Sequence, residues 1–169
     1  MRFFLSLISI AAMAGTLFAG DFDEVIMSAR QAWPERQTVI VVCNKSSSAM
    51  ALMDLGSSTE KVISLLVLDL AAAKDLDKVL GNLARKSRTE VFVLLIADDP
   101  LTGDNTVAGR MLLVRMTSRG IPVVGTTPEA LKLGAVFVQG VGTGGKLITN
   151  LEVAKKLGVA VPVVPDSAQ

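Results

Sequence analysis

Histidine and tyrosine are absent from the 169 residues, and cysteine and tryptophan occur once each. Without imidazole there is no Ser-His-Asp or Cys-His catalysis, no imidazole metal ligand and no histidine proton switch. The single cysteine, Cys43, excludes an internal disulfide and a thiolate zinc cluster. Aromatic residues make up 4% of the chain, and 17 Lys+Arg stand against 16 Asp+Glu. Nucleic-acid binding wants a basic stripe and stacking rings, and this composition offers neither. Half of the residues are apolar, enough for the core of one domain of ordinary size.

Residues 1–19 read MRFFLSLISIAAMAGTLFA: one basic residue (Arg2), an apolar run, small residues, and then the acidic Asp21-Phe22-Asp23-Glu24. That order is the order of a secretory signal, with cleavage expected after Ala19 and Ala12-Met13-Ala14 as a second candidate. An uncleaved membrane anchor is the alternative. The expectation is export to the periplasm, followed by a single domain over residues 20–169. Arg2 is the only charge before residue 20, so the remainder carries 16 charges of each sign.

The rest of the chain alternates two periodicities. Asp23–Ala32 has helical character and stops at Trp33-Pro34, a pair expected to pack the first helix against the sheet, with an exposed partner contact as the alternative. Thr38–Cys43 (TVIVVC), Lys61–Leu70 and Glu90–Ala97 are apolar, β-branched runs of the kind buried on both faces of a sheet. Ile121–Gly125 and Ala135–Val141 are further strands. Between them lie helical segments over Ala72–Lys86, Val107–Arg119 and Pro128–Leu133, and a last one capped by Asn150. This alternation predicts an α/β fold of three layers, with a flavodoxin-like, mostly parallel sheet of order 2-1-3-4-5. Gly142-Thr143-Gly144-Gly145 is turn chemistry between two β-rich runs, so the C-terminus should add a hairpin edge strand at Lys146–Thr149.

An open parallel sheet binds ligands beyond the carboxyl ends of its strands, where the strand order reverses. Two loops flank that point. Asn44-Lys45-Ser46-Ser47-Ser48 offers hydroxyls, an ammonium and the N–H groups of a following helix, which make an anion cradle. The plainer reading is that a serine caps that helix. Asp98-Asp99-Pro100-Leu101-Thr102-Gly103-Asp104-Asn105-Thr106 holds three carboxylates that could read an amine or a cation, while Asp104 or Asn105 could equally cap the next helix.

Other motifs fail on context. Gly140, Gly142 and Gly145 match GxGxxG, but β-branched Ile148 and Thr149 follow instead of a helix. The same stretch resembles a phosphate loop, except that Leu147 stands where a magnesium-binding hydroxyl belongs. Ser58-Thr59-Glu60-Lys61 fits S-x-x-K without its K-T-G companion. Cys43 ends a buried strand without a base and reads as a core residue. No enzyme, cofactor or metal centre emerges from these patterns.

Three stretches together resemble a known family. ARQAWPERQTVIVVCNKSS (29–47), GDNTVAGRMLLVRMTSRGIPVVGTTPEALKLGAVF (103–137) and NLEVAKKLGVAVP (150–162) are similar, in order, to the periplasmic ABC-transporter substrate-binding proteins of the TrpX-like class. The resemblance implies a solute-binding or sensing domain. By position it places Asn44 and Ser46 in the first cleft loop, Asp104, Asn105 and Thr106 in the second, and Thr126 and Thr127 after the fourth strand. The family closes two lobes on its ligand, whereas this chain has length for one, and dimerisation could restore a clamp. The C-terminal hairpin followed by N-L-x-x-A-K also resembles the YfiR-type periplasmic regulators, although their paired cysteines are missing. That likeness implies an inner-membrane signalling protein as partner, where the first implies a small-molecule solute and a transporter.

Overall fold

A computed structural model describes residues 21–83, 88–139 and 147–162. The expected export signal, the GTGG turn with both glycine-loop matches, and the extreme C-terminus lie outside these residues. Helix α1 (Asp21–Ala32) leads into β1 (Thr38–Cys43), followed by α2 (Ala49–Thr59), β2 (Ser64–Asp69) and α3 (Leu76–Leu83). Then come β3 (Val91–Leu94), α4 (Val107–Ser118), β4 (Val123–Gly125), α5 (Pro128–Leu133), β5 (Phe137–Gln139), β6 (Leu147–Thr149) and α6 (Leu151–Leu157).

The six strands form one sheet of order β2-β1-β3-β4-β5-β6. The first five are parallel, and β6 pairs antiparallel with β5 in the register Phe137↔Thr149, Val138↔Ile148 and Gln139↔Leu147. The expected flavodoxin-like order and antiparallel edge are both present. Strand β1 is central, and all but its first residue are buried, as its unbroken β-branched run requires. Alternate residues of β1 feed opposite cores. Ile40 and Val42 join Leu80, Leu112, Leu113 and Met116 beneath α3, α4 and α5. Val39, Val41 and Cys43 join Ile26, Trp33, Leu55 and Ala154 beneath α1, α2 and α6. This gives the three layers expected from right-handed crossovers.

Several boundaries differ from the sequence reading: β4 begins at Val123 rather than Ile121 and β5 at Phe137 rather than Ala135, and others lie along β2, α3 and β3. Strand β2 begins at Ser64 rather than Lys61, because Lys61 adopts a left-handed φ of 64° that breaks an extended run. The segment from Ala72 opens as a 3₁₀ turn over Ala73–Asp75 before α3 begins. Strand β3 is limited to Val91–Leu94, although burial continues through Ile96.

Trp33 is buried and lies against Phe92 and Phe137, with ring centroids 5.7 and 5.3 Å away. Its Nε1–H donates to the Ala160 carbonyl at 2.8 Å, so one side chain joins α1, the sheet and the segment after α6. That is the packing role expected for it; it offers no exposed aromatic contact.

Candidate functional site

Parallel topology brings the loops after β1, β3 and β4 to one edge of the sheet, and β1 and β3 are neighbours because the strand order reverses there. Two aspartates on the β3–α4 loop bind it to the loops on either side. Asp99 accepts from the Asn44 backbone N–H at 2.9 Å and from Ser48 Oγ at 2.6 Å, both across the strand-order switch. Within its own loop Asp99 accepts from the backbone N–H groups of Leu101 at 2.9 Å and Thr102 at 2.7 Å. Burial pushes the Asp99 carboxyl up, but the hydrogen bonds from Ser48, Thr102, Asn44 and Leu101 outweigh it and hold the group below the usual carboxylate value. Asp104 works on the other side: it is buried and accepts from Thr127 Oγ1 at the start of α5.

These contacts change the capping chemistry. Ser48 and Thr127 occupy the N-cap positions of α2 and α5, yet neither side chain accepts from its helix, because each hydroxyl is turned to a carboxylate. The expectation that a serine caps α2 is therefore corrected in kind: the position is right, and the hydroxyl is engaged elsewhere. The cap of α4 is Thr106, whose Oγ1 accepts from the Gly109 N–H at 2.9 Å, and neither Asp104 nor Asn105 has that role. Asp104 reaches Thr127 instead.

The remaining residues named from the sequence distribute as follows. Asn44 is half-buried; its Oδ1 accepts from the Ser47 N–H at 3.0 Å and shapes the turn before α2. Ser46 and Asn105 are exposed, on the first and second loops. Thr126 is buried and Thr127 half-buried, both directly after β4. Asn44, Asp104, Thr106 and Thr127 thus take part in the hydrogen bonding that shapes the rim, while Ser46 and Asn105 face solvent from it. Of the three loop carboxylates, Asp99 is committed to internal donors and Asp98 is exposed. Among the described residues, no group of three or more Cys, Asp or Glu side chains is arranged to hold a metal ion.

Two glycines let these loops approach. A Cβ on Gly103 would lie 2.2 Å from the Ala97 carbonyl oxygen, and one on Gly109 would lie 2.1 Å from that of Gly103. The backbone of α4 therefore rests directly on the β3–α4 loop. Gly109 escaped the sequence reading, although a glycine in the first turn of a helix is a signal of close approach.

Cys43 ends β1 fully buried. Burial, with Asp99 and Asp69 nearby, pushes its thiol up to about 12, against a smaller opposing effect from Lys45. A thiol so placed is a core group.

The fold and this rim define the chain as a flavodoxin-like α/β domain whose carboxyl-edge loops are tied together. No family model and no curated protein matches it. Solved structures do. A conserved domain protein from Vibrio cholerae O1 biovar El Tor superposes with a TM-score of 0.66 at 21% identity, over 83% of this chain and 56% of that one. The ABC domain from Streptococcus pneumoniae, solved with L-Trp, gives 0.65 at 14% identity over the same shares. The ligand-free, open form of a substrate binding protein with adhesive properties from Clostridium difficile gives 0.58 at 15% identity, over 84% and 56%. At these identities the likeness is one of fold, and the chain spans 56% of the length of each neighbour.

Proposed function

We propose that this chain is a non-enzymatic, exported solute-binding or sensing domain, taking a small solute that carries both a carboxylate and an amine at the carboxyl edge of its sheet. The observation that carries the proposal is the pair Asp99 and Asp104, which tie three loops into one rim at the strand-order switch. A rim already locked by internal hydrogen bonds loses little entropy when it receives a ligand. Lys45, Ser46 and the start of α2, whose cap hydroxyl is turned away, suit the carboxylate. Asp98 and Asn105 suit the amine, and Asn44, Thr106, Thr126 and Thr127 complete the wall. The S. pneumoniae neighbour was solved with L-Trp, a solute of this class. Because this chain spans 56% of that neighbour, the second covering surface would come from elsewhere, and a homodimer supplies one.

The test is a thermal-shift screen of the purified chain against amino acids, small carboxylates and nucleobases. A ligand at 100 times its Kd adds about 2.7 kcal/mol. A selective shift that is lost in Asn105→Ala and Ser46→Ala supports the proposal; no shift across the set removes it.

One observation favours a second reading, a YfiR-type regulator that docks on an inner-membrane signalling protein. Val107, Met111 and Val114 are 75%, 42% and 62% exposed at helical spacing along α4. Such a stripe is suited to a protein partner. Co-purification with a membrane fraction that is lost in Val107→Ser/Val114→Ser, with no ligand found in the screen, would favour this reading.

A further inference from the structure

Arg36 lies in the turn between α1 and β1, at the amino edge of the sheet, opposite the rim described above. It is 5% exposed. Its Nη1 donates to the carbonyls of Arg88 at 2.7 Å and Val91 at 2.5 Å, which uses both hydrogens of that nitrogen. The Nε–H is buried and has no hydrogen-bond acceptor among the described residues. The guanidinium sits 5.8 Å from the centre of the Trp33 ring, which holds it in place. A buried cation with an idle donor costs free energy unless something complements it.

What lies beside it is a cleft of about 510 Å³, lined by Trp33, Arg36, Arg88 and Arg119, with Leu157 and Val159 along one wall. Among the described lining residues three are arginines and the single carboxylate is Glu35. Glu35 is itself informative. Its Oε1 stands 3.6 Å from Arg36 Nε, beyond hydrogen-bond range, on a side chain 56% exposed. A carboxylate oxygen thus hovers at the position where a bound oxyanion would accept from Nε. Burial lowers the Arg36 pKa and Glu35 raises it, which fits a cation short of full compensation.

We propose that this amino-edge cleft is an oxyanion-binding site, in which a small carboxylate or phosphate displaces Glu35 and is held by Arg36 from the floor and by Arg88 and Arg119 from the rim. The site is independent of the carboxyl-edge rim. It lies at the other end of the strands and shares no lining residue with it.

The experiment titrates inorganic phosphate and citrate into the full chain at constant ionic strength, with chloride as the matched control. Calorimetry gives Kd, and the arginine Nε–H region of ¹⁵N spectra reports Arg36. Saturable binding that shifts the Arg36 Nε–H resonance is expected. Arg88→Gln and Arg119→Gln should each weaken binding about tenfold, the loss expected for one charge-assisted hydrogen bond. Glu35→Gln should tighten it by removing the competing carboxylate. Ser46→Ala should leave it unchanged, which separates this site from the carboxylate-binding end of the proposed solute site, because Ser46 does not line the amino-edge cleft. If Arg36 is only a clamp on the start of β3, phosphate and citrate will behave like chloride and its Nε–H will not move. That result overturns the proposal, as does binding that Glu35→Gln weakens or that survives Arg88→Gln/Arg119→Gln unchanged. Should Arg119→Gln unfold, through loss of its 3.2 Å bond to the Leu80 carbonyl, the Arg88 and Glu35 variants still decide the matter.

Discussion

Ser48 donates to Asp99 at 2.6 Å across 51 positions of sequence, and this bond joins the two loops that flank the reversal in strand order. It explains why an N-cap serine does not cap, and why one of three loop carboxylates is unavailable to a cation.

Replacing Asp99 by alanine removes the acceptor for Ser48, Asn44, Leu101 and Thr102 together. A loss of about 3 kcal/mol is expected in urea unfolding at pH 7. The folded carboxyl titrates below its unfolded counterpart, so its stabilisation is complete above an unfolded value of about 3.9 and is lost as pH falls through the lower folded value. The gap between wild type and Asp99→Ala should therefore narrow at pH 3; a gap as wide as at pH 7 would contradict the assignment.

Gly109 and Gly81 provide a contrast within two helices. Both would gain about 1 kcal/mol from alanine on helix propensity alone. Around Gly81 no described residue beyond its own stretch of helix comes within 4 Å of an added Cβ, so Gly81→Ala should raise the urea midpoint. At Gly109 the same carbon would stand 2.1 Å from one carbonyl oxygen and 2.5 Å from another. Overpacking against backbone costs about 1–3 kcal/mol or more and reverses the sign. Equal shifts in the two variants would mean that α4 does not rest on its loop as described.

Cys43 should resist thiol reagents at pH 8 in the native state, since burial and the neighbouring Asp99 and Asp69 push its thiol up to about 12. Labelling should proceed at the rate of opening and accelerate in denaturant. On stability the effect runs one way: below an unfolded value of about 8.5 the thiol is neutral in both states, and stability declines as pH rises from there toward the folded value. Rapid labelling without denaturant would show Cys43 to be accessible.

Trp33 is the only tryptophan, so its fluorescence reports one place. Emission should be blue-shifted in the native state and move to the red on unfolding. Trp33→Phe keeps part of the packing against Phe92 and Phe137 but orphans the Ala160 carbonyl, and a cost of about 2 kcal/mol is expected. A neutral substitution would mean that the segment after α6 is not held by this bond.

The elements that could be read directly were those whose residues carry their own periodicity. The β-branched run Thr38–Cys43 and the segment Pro128–Leu133 have the same bounds in sequence and structure. Asn150 caps α6 as its position suggested, its Oδ1 accepting from the Val153 N–H at 3.1 Å. A cap and a helical face are satisfied within one or two turns of chain, so the local sequence contains both partners.

The loops were legible as places but not as chemistry. Asp98, Asp99 and Asp104 look alike in sequence, and Thr106 looked like one more polar residue beside Asp104 and Asn105. Only the assembled sheet brings Ser48 to Asp99 and Thr127 to Asp104, and leaves Thr106 as the acceptor for α4. The arginine cleft was invisible for the same reason: Arg36, Arg88 and Arg119 meet only once the amino ends of the strands are side by side. Apolar periodicity by itself determined the elements and their layers, because burial is decided residue by residue along each element. The strand order was the simplest arrangement of those elements, and it is fixed by which strands pair in the assembled sheet. Which donor meets which carboxylate was decided by tertiary structure, because a hydrogen bond acts over about 3 Å and nothing in the local chain says what will be that near.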